Sequence, residues 1–416
     1  MLQRPIRLAV AAAMAAAATG VVGAVVGGTA SATPKPLTIA LITSQTGVAA
    51  AGYQGAPEGF LARIALQNTR GGVHGHKLVP MVINDQSSLT TEATGVQDAI
   101  AKGAIGIVAD TALFFAGYKY AQQAGVPVTG ASFDGPEWGE QPNTNMFASD
   151  TGSIDPTYPA NTIMGRFMRS HGGTNFGGYG YGISPSSIHS VEQTADSFKH
   201  AGGKVGVLDT SIPLGGVDFT SAALTAKSQH INALYGAMQN NSNFALLTAM
   251  KQAGVTLKVV VLPTGYQQSI VNTPAWSDVQ GAYFLTEFRP YQEPNAATRT
   301  MAAALQKYEH RSPKRFPTID LDESWLGADL MIQGLQRAGA NPTRASVIKA
   351  LRGIKSYNGG GLLPVNLDYA TNFGHDPKVA CDWFLQATKK GFVSATTKPV
   401  CGSDIPGTAT ASASGG

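Results

Sequence analysis

The chain is 416 residues long, 43% hydrophobic and only 13% charged, with a formal net charge of +4. These proportions supply enough apolar side chain for sizeable cores and exclude a disordered or fibrous chain, while the length suits two or three domains. Arg4 and Arg7 fall in a predicted leader, so the remaining chain is nearly neutral and offers no polyanion or nucleic-acid footprint.

The N-terminus runs from those arginines into an Ala/Val/Gly-rich stretch over 8–26, then Ala30-Ser31-Ala32 ahead of Thr33-Pro34, the order of a secretory signal. Cleavage after Ala32 is predicted, giving a signal peptide over 1–32 and an exported protein, periplasmic or extracellular and associated with the cell envelope. An uncleaved membrane anchor is the other reading of the same run. No cysteine lies near the cleavage site, so a lipid anchor there is not expected. The two cysteines, Cys381 and Cys401, read as a disulfide in an exported chain.

Beyond the leader, short β-branched runs alternate with helical periodicity, which predicts an α/β fold with parallel sheets. A strand over 37–42 precedes a helix over 57–68, where Phe60 and Ile64, then Leu61 and Ala65, recur at i,i+4 spacing and Gly71-Gly72 ends the run. A strand over 78–83 follows, then a helix through Ala93, Val96, Ala99 and Ile100 that stops at Gly103. Strands over 105–109 and 127–131 around a helix ending at Gly125 complete one doubly wound unit. The pattern then restarts with a helix over 161–171, a strand within 177–183, a helix over 187–200 carrying Val191, Ala195 and Phe198, and a strand over 204–208. Strands over 231–235 and 257–262 enclose a helix over 243–253. Past Tyr291 come helices over 296–310, 322–338 and from a Thr343 cap to Leu351. Gly359-Gly360-Gly361 opens a β-rich tail, and the Gly/Ala/Ser/Thr-rich end over 404–416 reads as flexible.

No catalytic constellation stands out, so the sequence reads as a binding protein and not an enzyme. Gly178-Tyr179-Gly180-Tyr181-Gly182 lacks the G-x-G-x-x-G spacing and sits within a strand; its glycines read as close packing, and no cofactor is implied. There is no P-loop, no G-x-S-x-G elbow and no H-E-x-x-H motif. His74 and His76, two apart in a turn, read either as exposed loop residues or as a surface metal clip, the former favoured; no metal is expected. Asp320, Asp322 and Glu323 read as solvated charges at a helix start, favoured by the dipole.

Several segments together carry a resemblance. Ile42-Thr43-Ser44-Gln45-Thr46-Gly47, Gly52-Tyr53-Gln54-Gly55, Asn68 to Leu78 (NTRGGVHGHKL), Asn84-Asp85-Gln86-Ser87, Ala124-Gly125-Val126-Pro127-Val128 and Gly216-Val217-Asp218-Phe219-Thr220 resemble periplasmic binding proteins of the leucine/isoleucine/valine (branched-chain amino acid) type. The resemblance implies a type I fold: two Rossmann-like lobes with parallel-core sheets, joined by three hinge crossovers and closing on a small solute for an ABC importer. It places crossovers near 151–156, 287–291 and 358–364. Lobe 1 would then comprise 33–154 plus 288–360, and lobe 2 155–287 plus 361–403. A partner set follows from the same resemblance: a small-molecule ligand and an ABC permease in the membrane, with the protein itself expected to be a monomer. A ligand-sensing module for a signalling receptor is the alternative.

In such a fold the ligand sits beyond the carboxyl ends of the strands. The resemblance puts the hydroxyl that meets a ligand carboxylate at Thr111, beside Ala112, and the following loop at Ser132, Phe133 and Asp134. Asp134 either pairs a ligand cation or makes an Asx turn before Gly135-Pro136. On the second lobe the spacing gives Gln239 where a tyrosine is common. The loop Pro263-Thr264-Gly265-Tyr266-Gln267 has no acid where the family often clamps an ammonium group. A buried ammonium without an anionic partner costs several kcal/mol, so either Asp134 substitutes or the ligand is not a free α-amino acid. Tyr53, Tyr266, Phe114, Phe115, Phe133 and Trp138 are candidate apolar walls. The expected cargo is amphipathic: amino-acid-like, an aromatic or aliphatic acid, or an amide.

Overall fold

The computed structural model describes residues 34–132, 135–139, 143–150, 159–271, 273–312, 318–372 and 381–408. The predicted leader, the first predicted crossover, and two of the predicted ligand residues, Phe133 and Asp134, lie outside the described residues.

The first lobe alternates β1 (Leu37–Thr43), α1 (Ala56–Thr69), β2 (Leu78–Asn84), α2 (Leu89–Ala101), β3 (Gly106–Asp110), α3 (Tyr118–Gln123), β4 (Val128–Gly130) and β5 (Met146–Ala148). The strands form a sheet in the order β2-β1-β3-β4-β5, parallel throughout. Helices cover both faces, so the inner strands are apolar runs without alternation, and every residue of β3 is buried, whereas the edge strand β2 is partly exposed. The second lobe repeats the scheme with α4 (Ile163–Ser170), β6 (Asn175–Tyr181), α5 (Pro185–His200), β7 (Lys204–Ile212), α6 (Thr220–Ser228), β8 (Ala233–Ala237), α7 (Asn240–Gln252), β9 (Val259–Leu262), α8 (Trp276–Val279) and β10 (Tyr283–Thr286). The chain then returns to the first lobe as α9 (Ala296–Tyr308), α10 (Ile319–Arg337), α11 (Arg344–Arg352) and α12 (Tyr369–Asn372). It ends in β11 (Cys381–Thr388), β12 (Gly391–Ser394) and β13 (Val400–Cys401). The second sheet runs β12-β11-β10-β9-β8-β6-β7, with β13 on β11; β7 to β10 pair in parallel and β11 and β12 antiparallel.

The glycines of β6 serve packing. A Cβ at Gly178 would press on Val191 of α5 at 2.6 Å, and one at Gly180 on Ser187 at 2.9 Å, so the strand lets the helix lie close and carries no nucleotide turn. Cys381 and Cys401 are joined, tying β13 to β11.

Three expectations differ from the structure. The lobe change predicted at 358–364 does not occur there: Leu362, Leu363, Leu367 and Tyr369 pack in the first lobe's core, and Tyr369 Oη donates to the Ala148 carbonyl. The chain reaches the second sheet only between Asn372 and Cys381. The predicted flexible tail is tied down over 404–408, because Ile405 is buried, its N–H donates to Ala160 O (2.7 Å), and the Ala160 N–H donates to Thr408 (2.8 Å). His76 is buried, with its ring nitrogens against the carbonyls of Lys35 (2.6 Å) and Ala340 (2.8 Å); His74 Nε2 meets Gln336 O at 2.7 Å. These rings fasten the turn before β2 to the end of α10 and the loop after it.

Between the lobes, Arg289 after β10 donates its backbone N–H to Leu362 O (2.7 Å) and its Nε to Gly361 O (3.1 Å). The glycine run at 359–361 is thereby tied to the segment after β10.

Candidate functional site

A cavity of about 180 Å³ lies between the lobes, at the carboxyl ends of both sheets. An apolar cavity of about 150 Å³ holds one benzene, so this space suits a ligand with a single ring or a short branched chain. From the first lobe it is bounded by Gly52 and Tyr53 after β1, Ala112 and Leu113 after β3, and Ile319, Asp320 and Glu323 at the start of α10. The second lobe supplies Tyr181, Ile183, Ser184, Ser186, Ser187 and Ser190 from the end of β6 into α5, Ala237 to Gln239 at the end of β8 and beyond it, and the loop Pro263 to Gln267 after β9. Leu285 to Phe288, at the end of β10, reaches it from the crossover.

The lobes touch at its mouth. Gln239 Nε2 donates to Tyr53 Oη (3.5 Å) and Gln267 Nε2 to Ala51 O (3.4 Å), while a Cβ at Gly52 would overlap the Gln239 amide. Gln239 is the N-cap of α7, and its N–H donates to Tyr181 Oη (3.1 Å), whose own proton goes to Ser242 (2.8 Å). Tyr266 is buried with its hydroxyl donating to Gln292 (2.5 Å) and accepting the Tyr291 N–H (3.1 Å), and burial pushes its phenol well up. Four of the predicted ligand residues, Tyr53, Ala112, Gln239 and Tyr266, thus meet around one space.

Thr111 and Ser132 do not join them. Thr111 donates its hydroxyl proton to Asp85, which also accepts from Ser44 (2.7 Å) and the Ser87 N–H (2.7 Å), so this hydroxyl fixes the loops after β1, β2 and β3 to one another. Ser132 donates both its N–H and its hydroxyl to Asp150, each at 2.7 Å. Phe114 and Trp138 pack in the first lobe's core, their ring centroids 6.1 Å apart.

A comparison with family models matches residues 36–391 to the periplasmic binding protein family. The chain belongs to that family. Solved structures share the fold at low identity. The leucine-binding protein LivK from Thermotoga maritima superposes with a TM-score of 0.72 at 17% identity, covering 86% of this chain and 98% of that one. A fatty acid ABC transporter substrate-binding protein from Thermomonospora curvata gives 0.72 at 14%, covering 89% and 93%. A solute-binding protein of an ABC transporter from R. palustris, in complex with benzoate, gives 0.71 at 15%, covering 89% and 98%. No curated protein sequence matches the chain significantly.

Within this periplasmic binding protein the largest departure from the sequence reading is acidic. Asp320, Asp322 and Glu323 are each over nine-tenths buried, not solvated, because α10 starts beneath the Gly52–Gly55 turn and packs along α1 and the first sheet. Asp320 accepts the Gly55 N–H, and burial pushes its carboxyl up to about 6. Burial also holds Asp322 well above the ordinary carboxylate range. Glu323 and Asp110, the last residue of β3, face each other. Burial holds both well above the ordinary range, with the Asp320 charge adding to it at Asp110 and the charges of Asp110, Glu287 and Asp150 adding to it at Glu323. The sequence signal was available in three acids within four residues that interrupt an otherwise buried helix, but their burial depends on how α10 docks. The serines at the start of α5 were also missed. Ser184 caps the helix by accepting the Ser187 N–H (3.3 Å), and Ser184 Oγ lies 2.9 Å from Ser186 Oγ.

Proposed function

We propose that this periplasmic binding protein is the exported solute-binding component of an ABC importer, taking a small amphipathic molecule into the interlobe cavity and presenting it to a membrane permease. The observation that carries this reading is one space, bounded by loops at the carboxyl ends of both sheets, with aromatic and aliphatic walls and a few polar groups. Tyr53, Ala112, Gln239 and Tyr266 are its ligand contacts. The lobes comprise residues 34–150 with 288–372, and residues 159–287 with 381–408, and hinge at the crossovers between them. A molecule that engages both lobes favours the closed arrangement, which a permease can distinguish from the open one.

The test is thermal unfolding of residues 33–416 against amino acids, aromatic and fatty acids, amides, amines and sugars. A ligand at 100 times its dissociation constant adds about 2.7 kcal/mol if it binds only the native state. Stabilisation by one chemical class, lost in a Met238→Trp variant whose larger ring crowds the cavity, supports the reading. A flat panel on folded protein whose extract contains no small molecule contradicts it.

A further inference from the structure

The cavity's charge is one-sided. Its lining includes Asp320, Glu323 and Glu287, and among the described residues that line it none is Lys, Arg or His. The neighbour of the Glu323 carboxyl is that of Asp110, which is wholly buried and has no donor on either oxygen among the described residues. Carboxylates in such surroundings are costly to ionise unless a cation arrives. Arg311, the nearby base, is paired with Glu58 on α1, and it faces Asp320 and Asp322 without lining the cavity.

The opposite wall has the reverse polarity. Ser184 and Ser186 are over nine-tenths buried and line the cavity at the N-terminus of the 16-residue helix α5. Pro185 at the first helical position has no N–H, and the Ser187 and Ile188 N–H groups bond Ser184. The Ser186 N–H has no hydrogen-bond partner among the described residues. One hydroxyl proton joins Ser184 to Ser186, so the other remains to donate. A helix N-terminus with spare donors favours a carbonyl or carboxylate oxygen.

We propose that the cavity takes a small amphipathic cation, with its protonated nitrogen at Glu323 and Asp320 on the first lobe and a hydrogen-bond acceptor at Ser184 and Ser186 on the second. This rests on the binding reading above and specifies the ligand's class and direction. The direction is the reverse of that implied by the family resemblance, which placed the ligand's carboxylate on the first lobe at Thr111, a residue whose hydroxyl is bonded to Asp85. The ammonium replaces the proton held between Glu323 and Asp110, and that proton leaves to solvent. Among the described residues, Asp320, Asp322, Glu287 and Asp150 are the other acids facing this site, and Arg311 is the facing base.

The experiment uses three isosteric probes, benzylamine, benzyl alcohol and benzoate, titrated calorimetrically into residues 33–416 at pH 6.5 in two buffers of different ionisation enthalpy. Benzylamine is expected to bind at least ten-fold more tightly than the other two and to release protons, seen as a buffer-dependent heat. Glu323→Gln should weaken benzylamine at least ten-fold and change benzyl alcohol less than two-fold. Adding an acceptor, as in 4-(aminomethyl)benzamide, should tighten binding to the native protein but not to a Ser184→Ala/Ser186→Ala variant. Benzoate binding as tightly as benzylamine, or benzylamine not binding, overturns the inference. The binding reading itself falls only if the broad ligand panel is flat as well.

Discussion

Replacing Asp320 by Asn isolates one buried charge. The carboxyl is 3% exposed, and burial raises it to about 6 against an ordinary value of 3.8, although Thr318, the Gly55 N–H and the Arg311 charge all pull the other way. The folded state therefore holds a proton that the unfolded chain releases near pH 4. Below pH 4 both states are protonated; between about pH 4 and 6 the unfolded chain has released the proton while the folded state still holds it, so stability falls across that window and levels off above it, where Asp320 is ionised in place. The difference corresponds to about 3 kcal/mol. Asn cannot ionise and retains an oxygen for the Gly55 N–H, so Asp320→Asn should match the native protein near pH 4 and exceed its stability by up to about 3 kcal/mol at pH 7.5. For a chain of this length that is a rise of roughly 4 °C in melting temperature. Scanning calorimetry of both proteins without ligand, from pH 4 to 8, reads the difference directly. Parallel stability–pH curves, or a variant less stable at pH 7.5 than at pH 4 relative to the native protein, would refute the burial argument.

Gly59 on α1 lies against α10 so closely that a Cβ would overlap the Leu321 carbonyl, so Gly59→Val should lower stability by about 1–3 kcal/mol, read as a reduced urea midpoint with an unchanged slope. Reducing Cys381–Cys401, which are 20 residues apart, should cost about 3 kcal/mol by chain entropy and lower the melting temperature by a few degrees. Tyr266→Phe removes a hydroxyl that bonds Gln292 and the Tyr291 N–H; a loss of about 1–3 kcal/mol is expected in chemical unfolding, with the cavity volume unchanged.

The fold was legible because its signals are local. The apolar runs of β1, β3 and β8 and the Thr343 cap, which forms a reciprocal capping box with Ser346, lie where periodicity and cap chemistry put them. Weak signals failed: α6 is short, β5 has three residues, and β10 gains its place by pairing with β9 and β11. The site was half legible. Tyr53, Ala112, Gln239 and Tyr266 follow strands whose carboxyl ends converge, which spacing can locate. Thr111 and Ser132 follow equally suitable strands, yet Asp85 and Asp150 take their hydroxyls, and such a partner far along the chain has no local signature. The burial of Asp320 and Glu323 is likewise tertiary. A helix start rich in acids ordinarily faces water, and only the docking of α10 under the first lobe's opening turn encloses it.

The space between the lobes is expected to hold one small ligand. Calorimetric titration of the most stabilising compound from the ligand panel, into the native protein and into Met238→Trp, tests it most directly. One site per chain is expected in the native protein and an affinity at least a hundred-fold weaker in the variant, whose larger ring intrudes on the cavity that Met238 lines. Equal affinity in the two proteins would place the ligand elsewhere and contradict it.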